Sequence, residues 1–452
     1  MHIARGRLII YCLPALPLSM LLAPIIIYLP AFYAEHLGTN LSALGVIFFI
    51  GRLWDGLADP VVGRLSDRYG SRFGRRKPWI VLATPFLLAT TYFLCRPPRG
   101  ATVSYLLITI ILFYVCYTVV RIPYISWGAE LSSDYRERNR ISGWREIGSM
   151  TGIMISIGAP YFWLRGTQSS MDHIMEVFTA AVFVLLPPAA ILVALFVPDR
   201  LPMEAQVSEL RQETRAILRN TLFRRIIAAQ SCLYLGTYIY NACLVFIVEQ
   251  QMQLKGSFLS LLLIEYTSMI AVTPIVIRLA SRVSKHRVMT FGVFVQIVAH
   301  GLMAIAQPGQ YWQAAIAFGL IGVSFSSWYV IPTSLVADTV DYGKLHGGTD
   351  AAGLYMALFN FVDKAALAAA ALIALPILDH FGFKVQGGNT RSSIEALRAT
   401  GCLLPIAIIS IAGALYWRYP LDRFRHGAVL NWVRRREQRA LSAALAARDD
   451  RL

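Results

Sequence analysis

About twelve stretches of this chain are apolar for long enough to cross a lipid bilayer, and no other feature of the sequence limits its fold so tightly. They lie at roughly 8–33, 41–62, 79–95, 103–125, 147–164, 175–197, 226–248, 258–280, 288–306, 312–336, 352–378 and 400–418. A hydrocarbon core about 30 Å thick needs about 20 residues rising about 1.5 Å each. With no water there to satisfy the backbone, only helices or closed barrels can span it. Strands of a barrel alternate in and out, so unbroken apolar runs point to helices. Composition agrees. Charged residues make up 15% of the chain and apolar ones 56%, against about 25% charged in a soluble domain.

The longest polar gap, 198–225, divides the spans into two sets of six. The expected organisation is a helical bundle over 1–197, a central loop over 198–225, a second bundle over 226–418 and a basic tail over 419–452. Two bundles with a path between them suit an alternating-access carrier. The first apolar run is too long for a signal-peptide core, so no cleavable leader is expected. The six cysteines are scattered through apolar runs, without metal-ligand spacing.

The net charge of +16 is unevenly distributed. Outside the spans, about 31 lysines and arginines fall on one side and about 7 on the other. The rich side holds both termini, the run Arg64, Arg68, Arg72, Arg75, Arg76, Lys77, and the central loop. By the positive-inside rule this side is cytoplasmic, making the chain a multi-pass protein of the inner (cell) membrane. The basic pI then reflects topology and anionic lipid headgroups, not nucleic acid. Trp432, Arg434, Arg435, Arg436, Arg439, Leu441 and Leu445 suit either a surface-lying amphipathic helix or a solvated tail.

Ionisable groups inside spans are costly and mark candidate sites. Asp55 and Asp59 stand four apart on one helix face, with Arg52 one turn earlier. Two buried carboxylates need a bound metal ion, a shared proton or a basic partner, which is the chemistry of a coupling-ion site. A plain salt-bridged helix contact is the competing reading. Thr118 and Arg121 lie in the fourth span, Glu265 in the eighth, Trp328 in the tenth, and Asp363 and Lys364 in the eleventh. For Glu265, a proton relay and a carboxyl facing a wet cavity are equally open. His300 is expected to pack at an interface. No H-E-x-x-H, G-x-S-x-G or phosphate-binding glycine loop is present, so an enzyme or nucleotide-driven pump is not expected.

Several motifs add to this. Gly63, Asp67, Arg68, Gly70, Gly74, Arg75 and Arg76 resemble the cytoplasmic loop signature of the major facilitator superfamily. Arg52-Leu-Trp54-Asp55, Asp59-Pro60 and Gly74-Arg75-Arg76-Lys77-Pro78-Trp79 resemble the glycoside–pentoside–hexuronide:cation symporters. So do Ile122-Pro123-Tyr124, Glu137-Arg138, Gly143 to Arg145, Ala337-Asp338, Val340-Asp341-Tyr342-Gly343, Gly353-Leu354 and Lys364. The match runs through both halves. It implies the major facilitator fold, with Asp55, Asp59 and Thr118 at the cation site, possible sodium included, and Arg52 and Lys364 supporting it.

The departures bear on the solute. Two sugar-binding aspartates of the family's melibiose-type members fall on Ser19 and Arg121, and Arg145 falls near the sugar site. Guanidinium groups donate in a planar fork suited to carboxylate, sulfonate or phosphate, which favours an anionic sugar derivative. The family's asparagine between the aspartates is Ala58, which removes an oxygen ligand and favours a proton over sodium. The family's basic turn before the eleventh span reads Gly347-Gly348-Thr349-Asp350. The expected function is symport of a small organic solute with H+ or Na+, without a cofactor, by a monomer in contact with membrane lipid. Ser19, Arg121, Arg145, Glu265 and Trp328 are the candidate solute contacts. Lysophosphatidylcholine symporters share the pattern, so a lysolipid carrier is the nearest alternative, and a membrane scaffold or receptor is the alternative of another class.

Overall fold

A computed structural model describes residues 4–37, 41–69, 71, 73–132, 135–163, 171–199, 217–345, 352–385 and 387–420. Most of the central loop, the turn at Gly347 to Asp350 and the tail from 421 onward lie outside the described residues. Among the described residues the protein is helical, with one isolated β-bridge, Ser71 to Gly74. The first half holds α1 (Arg5–Cys12), α2 (Ala15–Ile27), α3 (Leu29–Leu37), α4 (Leu41–Arg68), α5 (Lys77–Cys95), α6 (Val103–Glu130), α7 (Tyr135–Trp163) and α8 (Met171–Phe196). The second holds α9 (Thr221–Phe246), α10 (Phe258–Arg282), α11 (Lys285–Ala304), α12 (Tyr311–Leu345), α13 (Ala352–His380), α14 (Arg391–Arg398) and α15 (Leu404–Trp417).

Several starts follow local chemistry. Thr102 accepts from the Tyr105 N–H at 3.2 Å, and Asn220 accepts from Leu222 at 3.1 Å, each satisfying a donor that the first helical turn leaves free. The ends run past the apolar stretches. The tenth apolar run stops near 336, whereas α12 continues to Leu345. Its 35 residues span about 52 Å, well beyond the hydrocarbon core. Hydropathy marks where a helix leaves lipid, not where its backbone ladder stops.

Among the described residues, eleven segments are long and apolar enough to cross a membrane by themselves. The twelfth span is α7, whose 29 residues are ample. Its first half fails on composition, because it carries Arg136, Glu137, Arg138, Arg140, Arg145 and Glu146.

The spans pack as two groups. In the first, α4 and α5 lie on α6, α2 on α7, and α5 on α8; in the second, α10 and α11 lie on α12, and α13 and α15 on α9. This is the two-bundle major facilitator architecture. The halves meet along α4 and α13, α7 and α10, and α2 and α9. Close approach gathers at the end where α4 begins and α13 finishes. A Cβ on Gly45 would sit 2.8 Å from the Ala371 carbonyl oxygen. Ser42 donates to Asp379 there at 2.5 Å, and Tyr28 meets Phe258 edge-on at 5.6 Å.

The loop from α4 to α5 is tied down at the opposite end. Asp199 Oδ2 accepts from the backbone N–H groups of Arg76 (2.7 Å) and Lys77 (3.0 Å), capping α5. The buried Arg76 side chain donates to Ser66 at 2.7 Å and to Glu130 at 2.5 Å, joining the ends of α4 and α6. Gly74 sits inside this knot at φ +126°, and a Cβ there would stand 2.2 Å from Asp199 Oδ2. Moving that oxygen would cost its two hydrogen bonds.

We expect Gly74→Ala to destabilise the protein by about 1–3 kcal/mol, through backbone strain and displacement of Asp199. Gly100→Ala is the comparison, since Gly100 has φ +79° with nothing within 4 Å of the new methyl. Thermal unfolding in detergent reads both. Equal losses would mean that the contact with Asp199 contributes nothing.

Candidate functional site: a carboxylate pair bridged across the two bundles

Asp55 and Asp59 project from the middle of α4, and three helices converge on them. From α6, Thr118 donates its hydroxyl to Asp55 Oδ1 at 3.0 Å, with Asp59 Oδ1 at 3.4 Å. From α13, in the other bundle, the Lys364 ammonium lies 2.9 Å from Asp55 Oδ2 and 2.6 Å from Asp59 Oδ2. It also reaches the backbone carbonyl of Asp55 at 3.3 Å. An ammonium has three N–H donors, and three acceptors surround this one. Arg52 Nη1 stands back at 3.9 Å from Asp55.

The two carboxylates differ in surroundings. The Asp55 side chain is 4% exposed and that of Asp59 25%. Asp55 is therefore the desolvated member and Asp59 the one open to arriving ions. Ala58, between them, offers no side-chain oxygen. No group of three or more His, Cys, Asp or Glu side chains with metal-ligating geometry occurs among the described residues.

Arg52 is 7% exposed, and its guanidinium stacks on the Tyr114 ring at 4.7 Å. Its Nη2 has no hydrogen-bond partner. Asp363, next to Lys364, accepts from Tyr238 of α9 at 2.5 Å. These tyrosines were missed in the sequence reading. The signal was present, since Tyr114, Tyr117, Thr118 and Arg121 follow helical spacing and share one face of α6.

Arg121 lies one turn beyond Thr118 and is half-buried. Among the described residues it makes no hydrogen bond and no ion pair. It remains within electrostatic reach of Tyr117, Asp59, Asp55 and Arg145. Arg145, on α7, is bonded to the adjacent Glu146 at 2.9 Å.

The other sequence candidates lie apart. Ser19 faces α7, its hydroxyl 2.8 Å from the Ser149 carbonyl, where Gly152 lets the helices touch. Glu265, on α10, is 2% exposed with Oε2 unpartnered. Trp328, on α12, packs among Phe325, Tyr329 and Tyr234. None of these three shares a hydrogen bond, ion pair or ring contact with the carboxylate cluster among the described residues. His300 is fully buried against Tyr240 inside the second bundle, near the end of α11.

This geometry has a chemical consequence. A cation entering between the carboxylates competes with the Lys364 ammonium, and Lys364 belongs to the opposite bundle. The carboxylate pair is therefore also a point of contact between the halves.

Comparison with known proteins places the chain. The sequence model of the family described as MFS/sugar transport protein matches residues 10–423. The glucuronide carrier protein homolog of Escherichia coli (strain K12) is 24% identical over 408 residues, covering 87% of this chain and 88% of that protein. The isoprimeverose transporter of Lactiplantibacillus pentosus is 24% identical, covering 88% and 84%. The sodium-dependent lysophosphatidylcholine symporter 1 of Homo sapiens is 25% identical, covering 88% and 78%. Among solved structures, the nucleoside transporter NupG superposes with a TM-score of 0.62 at 13% identity, covering 92% of this chain and all of that one. That likeness is one of fold.

Proposed function

Since the chain belongs to the MFS/sugar transport protein family, we propose that it is a secondary active symporter for a small anionic solute, a sugar acid or similar, coupled to a cation. The observation that carries this reading is the Lys364 ammonium seated between Asp55 and Asp59, with Arg121, one turn beyond Thr118, making no ion pair among the described residues.

In this mechanism α4 and α13 are latched by charge. Protonation of the more open Asp59, or arrival of a cation at the pair, weakens its hold on Lys364 and loosens α13 from α4. The bundles then rock about the central site. Arg121 supplies the solute contact, because a guanidinium cannot escape its desolvation by losing a proton and gains most from an anionic partner. Two carboxylates and a hydroxyl make a thin shell for sodium, which by analogy with harder cations wants about six oxygens. A proton needs one carboxylate, and we take it as the coupling ion. A lysolipid carrier is a second reading, favoured by the likeness to the human lysophosphatidylcholine symporter. Its phosphate would use the same Arg121 fork.

Asp55→Asn and Asp59→Asn are expected to abolish gradient-driven accumulation in proteoliposomes while sparing exchange counterflow. Exchange needs only a site that alternates, whereas accumulation needs an ion that binds and leaves. Uptake by the unaltered protein should collapse with a proton uncoupler and ignore sodium at fixed pH. Mutants that still concentrate solute sink the carboxylate assignment, and loss of counterflow in the unaltered protein favours a scaffold.

Arg121→Ala is expected to lose about tenfold or more in affinity for acidic solutes, the size of a charge-assisted hydrogen bond of about 1.5–3 kcal/mol. Its thermal stability should hold, because no internal acid loses a partner. Unchanged solute affinity ends the anionic reading.

Both termini are proposed to be cytoplasmic, on the Lys/Arg asymmetry. A phosphatase–fluorophore reporter pair fused after Arg451 should read as cytoplasmic, and periplasmic phosphatase activity would invert the topology.

A further inference from the structure

A cleft opens between the first turns of α1 and the first half of α7, about 720 Å³ with its mouth included. Arg5, Leu8, Ile9, Arg140 and Trp144 line it. The lining is graded. Arg5 and Arg140 stand at the outer end, and Leu8, Ile9 and Trp144 lie about one turn deeper on their helices.

The tryptophans of α7 give its depth. Trp144 is 46% exposed and Trp163 is 81% exposed. They are separated by about 29 Å of helix, close to the thickness of the hydrocarbon core. Exposed tryptophans favour the two membrane interfaces. With Trp163 at one boundary and Trp144 at the other, Arg140 lies about 6 Å outside the hydrocarbon, at the level of lipid phosphates. Glu137, behind it, holds Arg140 at 3.1 Å. Ile147, 55% exposed, continues the apolar path inward from Trp144.

We infer that this cleft is a binding site for an anionic phospholipid of the surrounding leaflet, its phosphate between Arg5 and Arg140 and its acyl chain along Ile9, Trp144 and Ile147. A planar guanidinium fork matches phosphate. The change from cationic to aromatic to aliphatic along the cleft follows the polarity of such a lipid. A free anion would use only the outer end.

Native mass spectrometry of the detergent-purified chain tests this with dioleoyl phosphatidylglycerol and dioleoyl phosphatidylcholine. The unaltered protein should retain phosphatidylglycerol in preference. An Arg5→Gln/Arg140→Gln pair should lose about tenfold or more of that retention, since each basic group near a membrane surface contributes about 1 kcal/mol. Arg5→Lys/Arg140→Lys should keep most of it, and Trp144→Ala should weaken it. If the glutamine pair fails to fold, the lysine pair and Trp144→Ala still decide. Inorganic phosphate or glycerophosphoglycerol should compete poorly. Equal retention of the two lipids, full retention by the glutamine pair, or displacement by free phosphate at matched concentration would each overturn the inference.

Discussion

An ionised side chain inside a bilayer has to find a partner, and in this protein that requirement joins the two halves. Asp55 and Asp59 on α4 lack enough cationic neighbours in their own bundle, since Arg52 stands 3.9 Å from Asp55 and is taken up with Tyr114. The close cation comes from α13. Removing one member of a buried pair typically costs about 3–5 kcal/mol, because the other charge is left stranded. The contact is therefore strong enough to favour the arrangement of the bundles in which Lys364 sits between the carboxylates. Elsewhere along α4 and α13 the helices meet through close packing at Gly45 and a hydrogen bond from Ser42 to Asp379.

The same constraint separates the remaining charges. Arg76 is deeply buried yet fully engaged with Glu130 and Ser66, so it serves the loop at the end of the bundle. Arg145 is held by Glu146. Arg121 has an electrostatic environment but no bonded partner among the described residues. That cation, one turn beyond Thr118, is the one that the proposed mechanism assigns to the solute. Glu265 presents the reverse case, a buried carboxyl with one oxygen unpartnered and no bond to the cluster around Asp55 among the described residues.

The membrane also explains why α7 differs from the other spans. Hydropathy recognises helices by how they dissolve in lipid, and the charged first turns of α7 do not read as a lipid-soluble segment. The charges there made the span look short in sequence, yet backbone hydrogen bonding carries the helix on from Tyr135.

Much of this was legible in the sequence because bilayer physics is local. A run of about 20 apolar residues must form a helix wherever it sits, so the spans, their number and their grouping about the polar gap could be read directly. Spacing alone placed Asp55 and Asp59 on one face, with Arg52 one turn earlier. Which faces meet is not a local matter. That Lys364 crosses between bundles and that Ser19 turns towards α7 both depend on contacts between residues more than a hundred positions apart. Those contacts are chosen by shape and charge over the whole interface, which only the tertiary structure decides.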